Sequence, residues 1–445
     1  MPELNRRDFM KTSAGAAVGL GVLSRSTASW AGANDRVRVA VIGLRGRGRT
    51  HVGAFAPMEN VEIATVCDID ERVFAERIPE LMEEHGIKEP KTEWDFRKVL
   101  EDDSIDAISI ATPNHLHTLI SVLACEAGKD VYVEKPLSHN IWEGRQLVQA
   151  AEKHNRMVQH GTQIRCSPAV REGVQQLRDG LIGDIYMGKG LCYKWRDTIG
   201  HAPEEPVPEG VHYDLWMGPA PVKPFTKNRF HYNWHWQWDY GNGDVGNTGV
   251  HQMDILRMAL DVDLPVRVSS MGGHFMFEDD QETPNTQLAS FWYPSKDPKN
   301  DKGILMVFEV RHWITNYEGD LGQPPSNNVG NIIYGSEGYM TIDGNSYRTF
   351  LGREREPGPS ATGEGSPFQN FIECVRSRKR ENLLCDVAEG HYSSALCHMA
   401  NTAYRLRRTL EFDPVKEEYI GDAEANQMLS RVYRKPYVVP GGEAV

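Results

Sequence analysis

Residues 36–42 alternate into an unbroken apolar run that ends directly in Gly43-Leu44-Arg45-Gly46-Arg47-Gly48. Such a run reads as a buried parallel strand. A helix-like segment follows, then a second apolar strand over 61–67 that ends in Asp68, 20 residues after Gly48. In a βαβ unit this is the separation between a phosphate-binding glycine turn and the acid that takes the adenosine ribose. Glycine lets the backbone approach a pyrophosphate, and the following helix N-terminus supplies amide donors. The pattern predicts a dinucleotide-binding domain with Gly43, Gly46, Gly48 and Asp68 against the cofactor. Arg45 stands where the usual pattern has its middle glycine, so Gly46 would supply the close approach. Asp68 repels a 2′-phosphate and argues for NAD. Arg45, Arg47 and Arg49 could pair with that phosphate and argue for NADP.

Two later strands also end in polar clusters. The strand at 107–111 runs into Thr112-Pro113-Asn114-His115-Leu116-His117, and that at 130–133 into Glu134-Lys135-Pro136. Ligands of open parallel sheets bind beyond the carboxyl ends of the strands. Thr112, Asn114, His117, Glu134 and Lys135 are therefore candidate cofactor contacts.

The chain has 445 residues, which suits two domains with full cores. A net charge of −13 argues against a sequence-independent nucleic-acid binder. Seven scattered cysteines without a CxxC pair argue against a disulfide scaffold or a structural zinc site. Residues 1–33 read as a leader. Asn5-Arg6-Arg7-Asp8-Phe9-Met10-Lys11 is a twin-arginine pattern, 12–23 is short, apolar and rich in Ala and Gly, and Ser29-Trp30-Ala31 and Ala31-Gly32-Ala33 offer cleavage sites. This order predicts export by the Tat machinery to the periplasm or beyond, with no lipid anchor because no cysteine sits at the cleavage site. A disordered basic tail is the plain alternative.

Past residue 162 the reading turns to substrate. In His231-Tyr232-Asn233-Trp234-His235-Trp236-Gln237-Trp238, an extended backbone would set the three tryptophans on one face. Trp234, His235 and Trp238 then suit the C–H face and hydroxyl rim of a sugar, or simple packing. Tyr213, in a Pro-rich loop, is a further candidate substrate contact. A helix starting near 247 and running to 260 would carry Asn247, His251 and Asp254 on one face, toward one ligand. His231 and His235 lack a third partner, so no metal is expected. Strands at 266–271, 287–293, 304–312, 331–334 and 339–343 suit an antiparallel sheet covered on one face. Polar loops are expected at 317–329 and 354–366, and helices at 368–376 and 393–410.

The glycine turn, Asp68, Ala111-Thr112-Pro113-Asn114-His115-Leu116-His117, Glu134-Lys135-Pro136, the segment from Gly241 to Asp254 and Gly335-Ser336-Glu337-Gly338 together resemble the Gfo/Idh/MocA family. The resemblance implies an α/β plus α+β protein. A Rossmann domain (34–162) would be followed by a domain with a large open, mostly antiparallel sheet (163–445) whose last helices return to the Rossmann domain. It implies Lys135 and His251 as the catalytic pair, a Lys135–Pro136 bond that is often cis, and a homo-oligomer joined through the open sheet face. It places Gln163 and Arg165 where nicotinamide and substrate meet. The family usually has Asp four residues before the catalytic histidine. Here that residue is Asn247, which can orient a hydroxyl but cannot act as a carboxylate base. Lysine is a poor base at its free pKa of about 10.4 and needs burial to approach working pH, whereas histidine needs less shift. The implied function is exported NAD(P)-dependent hydride transfer from a sugar or glycoside hydroxyl carbon, with a tightly bound cofactor because free NAD is scarce outside the cytoplasm. A redox-neutral NAD-dependent glycoside hydrolase and a non-catalytic sugar-binding protein are the alternatives.

Overall fold

Every residue of the strand that precedes the glycine turn is buried or nearly so, as a strand inside a doubly covered parallel sheet must be. A computed structural model describes residues 36–295, 302–313, 316–318, 321 and 327–445. The leader expected over 1–33 and most of the loop expected at 317–329 lie outside them.

Six strands, β1 (Val37–Ile42), β2 (Val61–Cys67), β3 (Lys91–Glu93), β4 (Ala107–Ile110), β5 (Asp130–Val133) and β6 (Val158–His160), form a parallel sheet ordered β3-β2-β1-β4-β5-β6. Strand addition reverses direction between β1 and β4, which opens a crevice at their carboxyl ends. Ile42 is level with Cys67 on one side and Ile110 on the other, and Ile110 is level with Val133. Gly43, Asp68, Ala111 and Glu134 therefore leave the sheet side by side. Helices α1 (Gly46–Phe55), α2 (Asn114–Glu126) and α3 (Ile141–Lys153) pack on its faces.

The second sheet has ten strands: β7 (Ile185–Tyr193), β8 (Arg267–Gly273), β9 (Thr286–Tyr293), β10 (Ile304–Arg311), β11 (Asn328–Gly335), β12 (Gly338–Asp343), β13 (Ser346–Leu351), β14 (Glu356–Thr362), β15 (Leu410–Asp413) and β16 (Glu418–Tyr419). Only β7 and β10 run parallel; the other pairings are antiparallel. Along β9, Gln287, Ala289, Phe291 and Tyr293 are buried and Leu288 is exposed, the alternation of a half-covered sheet. Helices α4 (Val250–Leu260) and α6 (Val387–Leu406) lie on the covered face, and α5 (Pro367–Ser377) packs on the parallel sheet. On the bare face Met271, Leu288 and Leu305 are exposed, with Met271 opposite Leu288.

Both late helices tie the sheets together. The Phe368 ring of α5 stacks on Tyr132 of β5 at 4.3 Å, and Ser394 Oγ of α6 accepts the Leu137 N–H at 2.8 Å.

Three features differ from the reading of the sequence. Residues 356–362 form β14 rather than loop; its prolines and glycine are tolerated because it is an edge strand. Helix α6 begins at Val387, not 393, because Asp386 caps it by accepting from the Ala388 N–H. Before α4 the chain makes one wide π turn, Val245–Gly249, that carries Asn247.

A Cβ on Gly48 would stand 1.7 Å from the Gly43 carbonyl oxygen. Gly48→Ala should open the turn and cost about 3 kcal/mol, the upper end of overpacking penalties. Denaturant unfolding and cofactor titration of the variant should both report the loss; unchanged values in both would show that the turn is not built on this contact.

Candidate active site

The crevice at the carboxyl end of the parallel sheet holds a cavity of about 340 Å³. Gly43, Gly46, Asp68, Thr112, Asn114, His117, Glu134 and Lys135 line it, with Ile69, Phe96, Leu116 and Ile120 as an apolar wall. Three observations fit a dinucleotide. Helix α1 starts with no side-chain cap, so its first N–H groups face the cavity. A Cβ on Gly46 would meet nothing within 4 Å, leaving room for a phosphate. Thr112 Oγ1 is buried without a hydrogen-bond partner among the described residues.

Asp68 is 8% exposed and accepts the N–H groups of Leu44 and Asp70 at 2.7 and 3.0 Å. Burial raises its pKa to about 6 against these hydrogen bonds. The arginines that argued for a 2′-phosphate are all engaged by carboxylates. Arg45 reaches Asp70, which also holds Arg72, and lies 2.8 Å from His231 Nε2; Arg47 donates to Glu134 at 2.6 Å; Arg49 donates to Glu84 at 2.6 Å. Each of these arginines thus already has a carboxylate partner, while Asp68 argues for NAD.

Glu134 is buried between Arg47 and His51. Burial would raise its pKa, but the His51 hydrogen bond and the Arg47 charge hold it well below the usual carboxylate range. His117 lies between the Thr112 and Pro136 carbonyls, at 2.8 and 2.7 Å, and so links the ends of β4 and β5. The Lys135–Pro136 bond is cis.

Lys135 is the hinge between two cavities. Its Nζ donates to the Asn247 backbone oxygen at 2.6 Å and to Asn247 Oδ1 at 2.9 Å. Burial lowers its pKa to about 8; Glu134 opposes the fall, and Lys194 and Arg47 add to it. Beyond it lies a second cavity of about 390 Å³ lined by Lys135, Gln163, Lys194, Arg196, Tyr232, Asn247, Thr248, His251 and Gln252 among others. His251 is neutral there: burial, then the Lys135 charge, take its pKa down to about 3. The expectation that histidine would need the smaller shift is thus reversed, and lysine is the group tuned toward working pH. His251 Nδ1 is buried with no partner among the described residues. Behind Asn247, Asp244 accepts from Asn247 Nδ2 at 3.1 Å, Thr248 Oγ1 at 2.9 Å, Arg196 Nε at 2.8 Å and His312 Nε2 at 2.6 Å.

Family models match both halves: residues 37–162 fit the Gfo/Idh/MocA oxidoreductase, NAD-binding Rossmann fold, and 181–274 with 358–439 fit the family's C-terminal alpha/beta domain. The chain belongs to the Gfo/Idh/MocA oxidoreductase family. Its N-terminal domain is the family's NAD-binding Rossmann domain. A glycosyl hydrolase family 109 protein of Shewanella pealeana is 30% identical over 208 residues, 42% of this chain and 45% of the relative. Levoglucosan dehydrogenase of Pseudarthrobacter phenanthrenivorans is 32% identical over 160 residues, 35% of this chain and 40% of the relative. The matched segments span less than half the length of these relatives. Among solved structures, a levoglucosan dehydrogenase in complex with NADH superimposes with a TM-score of 0.62 at 17% identity, covering 84% of this chain and 99% of the other. Aldose-aldose oxidoreductase from Caulobacter crescentus gives 0.60 at 18%, covering 85% and 100%. These likenesses establish the shared fold.

Of the residues singled out in the sequence, Gly43, Arg45, Gly46, Arg47, Asp68, Thr112, Asn114, His117, Glu134, Lys135, Trp234, His235 and Asn247 line the first cavity. Gly48 lies under the turn, and Gln163 and His251 line the second cavity. Four residues expected at the substrate lie in neither. Arg165 and Asp254 form a buried ion pair at 3.0 Å, so α4 points His251 at the cavity, beside Asn247 of the preceding π turn, but Asp254 at Arg165 and Ser393. Tyr213 is buried among Trp216, Phe225 and Phe230. The aromatic run is not extended: Asn233–Trp236 is a 3-10 turn, so the tryptophans diverge. Trp234 faces the first cavity, Trp236 lies under the Arg196 guanidinium, and Trp238 packs beside Arg405. No cluster of three or more metal-binding side chains occurs among the described residues. The reading of the sequence missed Lys194, Arg196 and Asp244. Its available signal was Lys-x-Arg directly after the alternating strand β7.

Asp68→Asn should shrink the preference for NAD over NADP by roughly tenfold or more, the scale of a lost hydrogen bond to a charged group. Calorimetric titration with both cofactors checks this, and equal affinity of the unaltered protein for both would remove Asp68 as the selector. Arg165→Met should cost about 3–5 kcal/mol because Asp254 is left buried and unpaired. Urea unfolding measures it; a variant of unchanged stability would return Arg165 to the substrate.

Proposed function

We propose that the chain is an exported, NAD-dependent oxidoreductase that takes a hydride from a hydroxyl-bearing carbon of a sugar or glycoside. The observation that carries this reading is Lys135. It stands at the carboxyl end of β5, lines both cavities, and has a pKa of about 8. The bound nicotinamide supplies the hydride acceptor. The chain's own residues do the rest. Lys135 Nζ, when neutral, takes the hydroxyl proton as the C–H bond breaks, so that a carbonyl is left. Asn247 fixes the amine through two acceptors, and Asp244 fixes the Asn247 amide from behind. Neutral His251 holds the reacting oxygen by hydrogen bonding.

The named relatives support the sugar reading: one is a levoglucosan dehydrogenase and another belongs to glycosyl hydrolase family 109. The second name also favours a second reading, redox-neutral glycoside hydrolysis, in which oxidation is followed by elimination and return of the hydride. Export rests on the twin-arginine pattern of residues 5–11, and a cofactor retained between turnovers would suit that compartment. A homo-oligomer is supported by exposed Met271, Leu288 and Leu305 on the bare sheet face.

Protein purified from its export compartment, with no added cofactor, is offered sugars and aryl glycosides while nicotinamide absorbance and products are followed. Reduced nicotinamide with a ketosugar is the expected result. Aglycone release without net reduction would establish the hydrolase instead, and protein that neither holds nor binds nicotinamide would end both readings. The oxidation rate should rise with pH and level off through about 8, because the base form of Lys135 is the active one. Lys135→Met should lower it by at least a factor of about 100 and abolish that rise. A profile that keeps its inflection in the variant would assign the base elsewhere.

A further inference from the structure

The second cavity is more positive than a neutral sugar requires. Lys135, Lys194 and Arg196 line it, and no carboxylate does among the described residues. Two acids are buried behind its wall, one paired with Arg47 and the other with the cavity's own Arg196. Glu134 holds Arg47, and Asp244 holds Arg196 together with His312. The ammonium groups of Lys135 and Lys194 instead donate to neutral oxygens: Asn247 O and Oδ1 for the first, Thr248 Oγ1 at 2.8 Å for the second.

The placement of the two outer cations is built rather than incidental. Lys194 and Arg196 follow β7 two residues apart and reach the π turn and the residue before it, Lys194 at Thr248 and Arg196 at Asp244. Arg196 is held on three sides. Asp244 takes its Nε and Nη2, the Tyr232 hydroxyl takes Nη1 at 3.3 Å, and its guanidinium lies over Trp236 at 4.9 Å. Five N–H donors are available on the fork and those bonds use three, so two remain for a ligand. A side chain so held loses little entropy on binding.

The substitution at position 247 has the same consequence. A carboxylate there would put negative charge on the cavity wall. Asn247 keeps an acceptor for Lys135 and removes that charge, while the acid sits one layer back at Asp244. With Lys135 neutral for proton transfer, one fixed positive charge remains in excess, which matches a monoanion.

We infer that the substrate is an acidic sugar of the uronate class, its carboxylate received by Lys194 and Arg196 and its reacting hydroxyl at Lys135 and His251. This rests on the hydride-transfer reading for the position of the reacting carbon, and on the cavity alone for the charge.

The test measures binding by tryptophan fluorescence or calorimetry on the protein as purified. Methyl glycosides matched in ring configuration are compared: the hexose, its uronate and its 6-phosphate, across the gluco, galacto and manno series. At least one uronate is expected to bind about tenfold or more tightly than its hexose, by a charge-assisted hydrogen bond. That preference should vanish in Lys194→Gln, survive in Lys194→Arg, and weaken as salt shortens electrostatic range. Thermal unfolding of both variants shows that they are folded. Hexoses that bind as well as their uronates, a 6-phosphate preferred over every uronate, or a uronate preference untouched by Lys194→Gln would each overturn the inference. Tight uronate binding without oxidation or aglycone release would sink the proposed function and leave this inference standing. Oxidation of neutral hexoses with Lys194 irrelevant would do the reverse.

Discussion

A half-buried ammonium group, that of Lys135, is the constraint on which the site depends. Desolvating one ion costs several kcal/mol even after relaxation, so Lys135 persists only where neighbouring oxygens and charges offset that cost. The offset comes from both sheets. Glu134 belongs to the end of β5, whereas Asn247 belongs to the π turn that leads into α4. The placement of the Lys135 amine therefore depends on both halves of the chain. That explains why the chain crosses back twice after the second sheet. Helix α5 seats Phe368 on Tyr132, and α6 gives Ser394 to Leu137, two residues beyond Lys135.

The same rule governs the other buried acids. Asp70, Glu134, Asp244 and Asp254 each meet a guanidinium, from Arg72, Arg47, Arg196 and Arg165. Breaking such a pair leaves a charge stranded, so each of these arginines keeps its carboxylate, and Arg196 has only its remaining N–H groups to offer a ligand. Asp68, like Glu143, is different. It is satisfied by backbone N–H groups, and burial raises its pKa to about 6. An acid held this way keeps its carboxylate at the cavity wall, which is what recognition of a ribose diol needs.

Legibility of the sequence followed the range of the interactions. The parallel sheet could be read because each strand carries its own apolar run and its ligand-facing residue comes directly after it, as with Ile42 and Gly43, Cys67 and Asp68, or Val133 and Glu134. Asn247 and His251 could be read because the segment from Gly241 to Asp254 carries the resemblance, although Asn247 lies in the π turn and only His251 on α4. Arg165 and Asp254 could not, since their pairing spans 89 residues and is decided by how α4 lies on the sheet. The aromatic run failed for a related reason. Alternation of Trp234, Trp236 and Trp238 suggests a strand, but no partner strand exists for it, and the segment folds into a 3-10 turn that spends its rings on three different neighbours. Edge strand β14 was hidden by Pro357, Pro359 and Gly358, residues that an edge accepts and a central strand does not.

The arrangement of titratable groups also bears on which reaction the site runs. Oxidation alone needs one base, for the hydroxyl proton. Oxidation followed by elimination needs a further proton taken from the neighbouring carbon and one delivered to the leaving group. Around the second cavity, Lys135 is drawn to about 8, while His251 is driven to about 3 and so holds a proton poorly at any ordinary pH. The acids that might have shared the work, Glu134 and Asp244, are both held well below the usual range by their guanidinium and imidazole partners. Position 247 on the cavity wall is an amide and cannot act as a carboxylate base. A cavity with a single group drawn toward working pH suits a single proton transfer, which favours the oxidation we propose over hydrolysis.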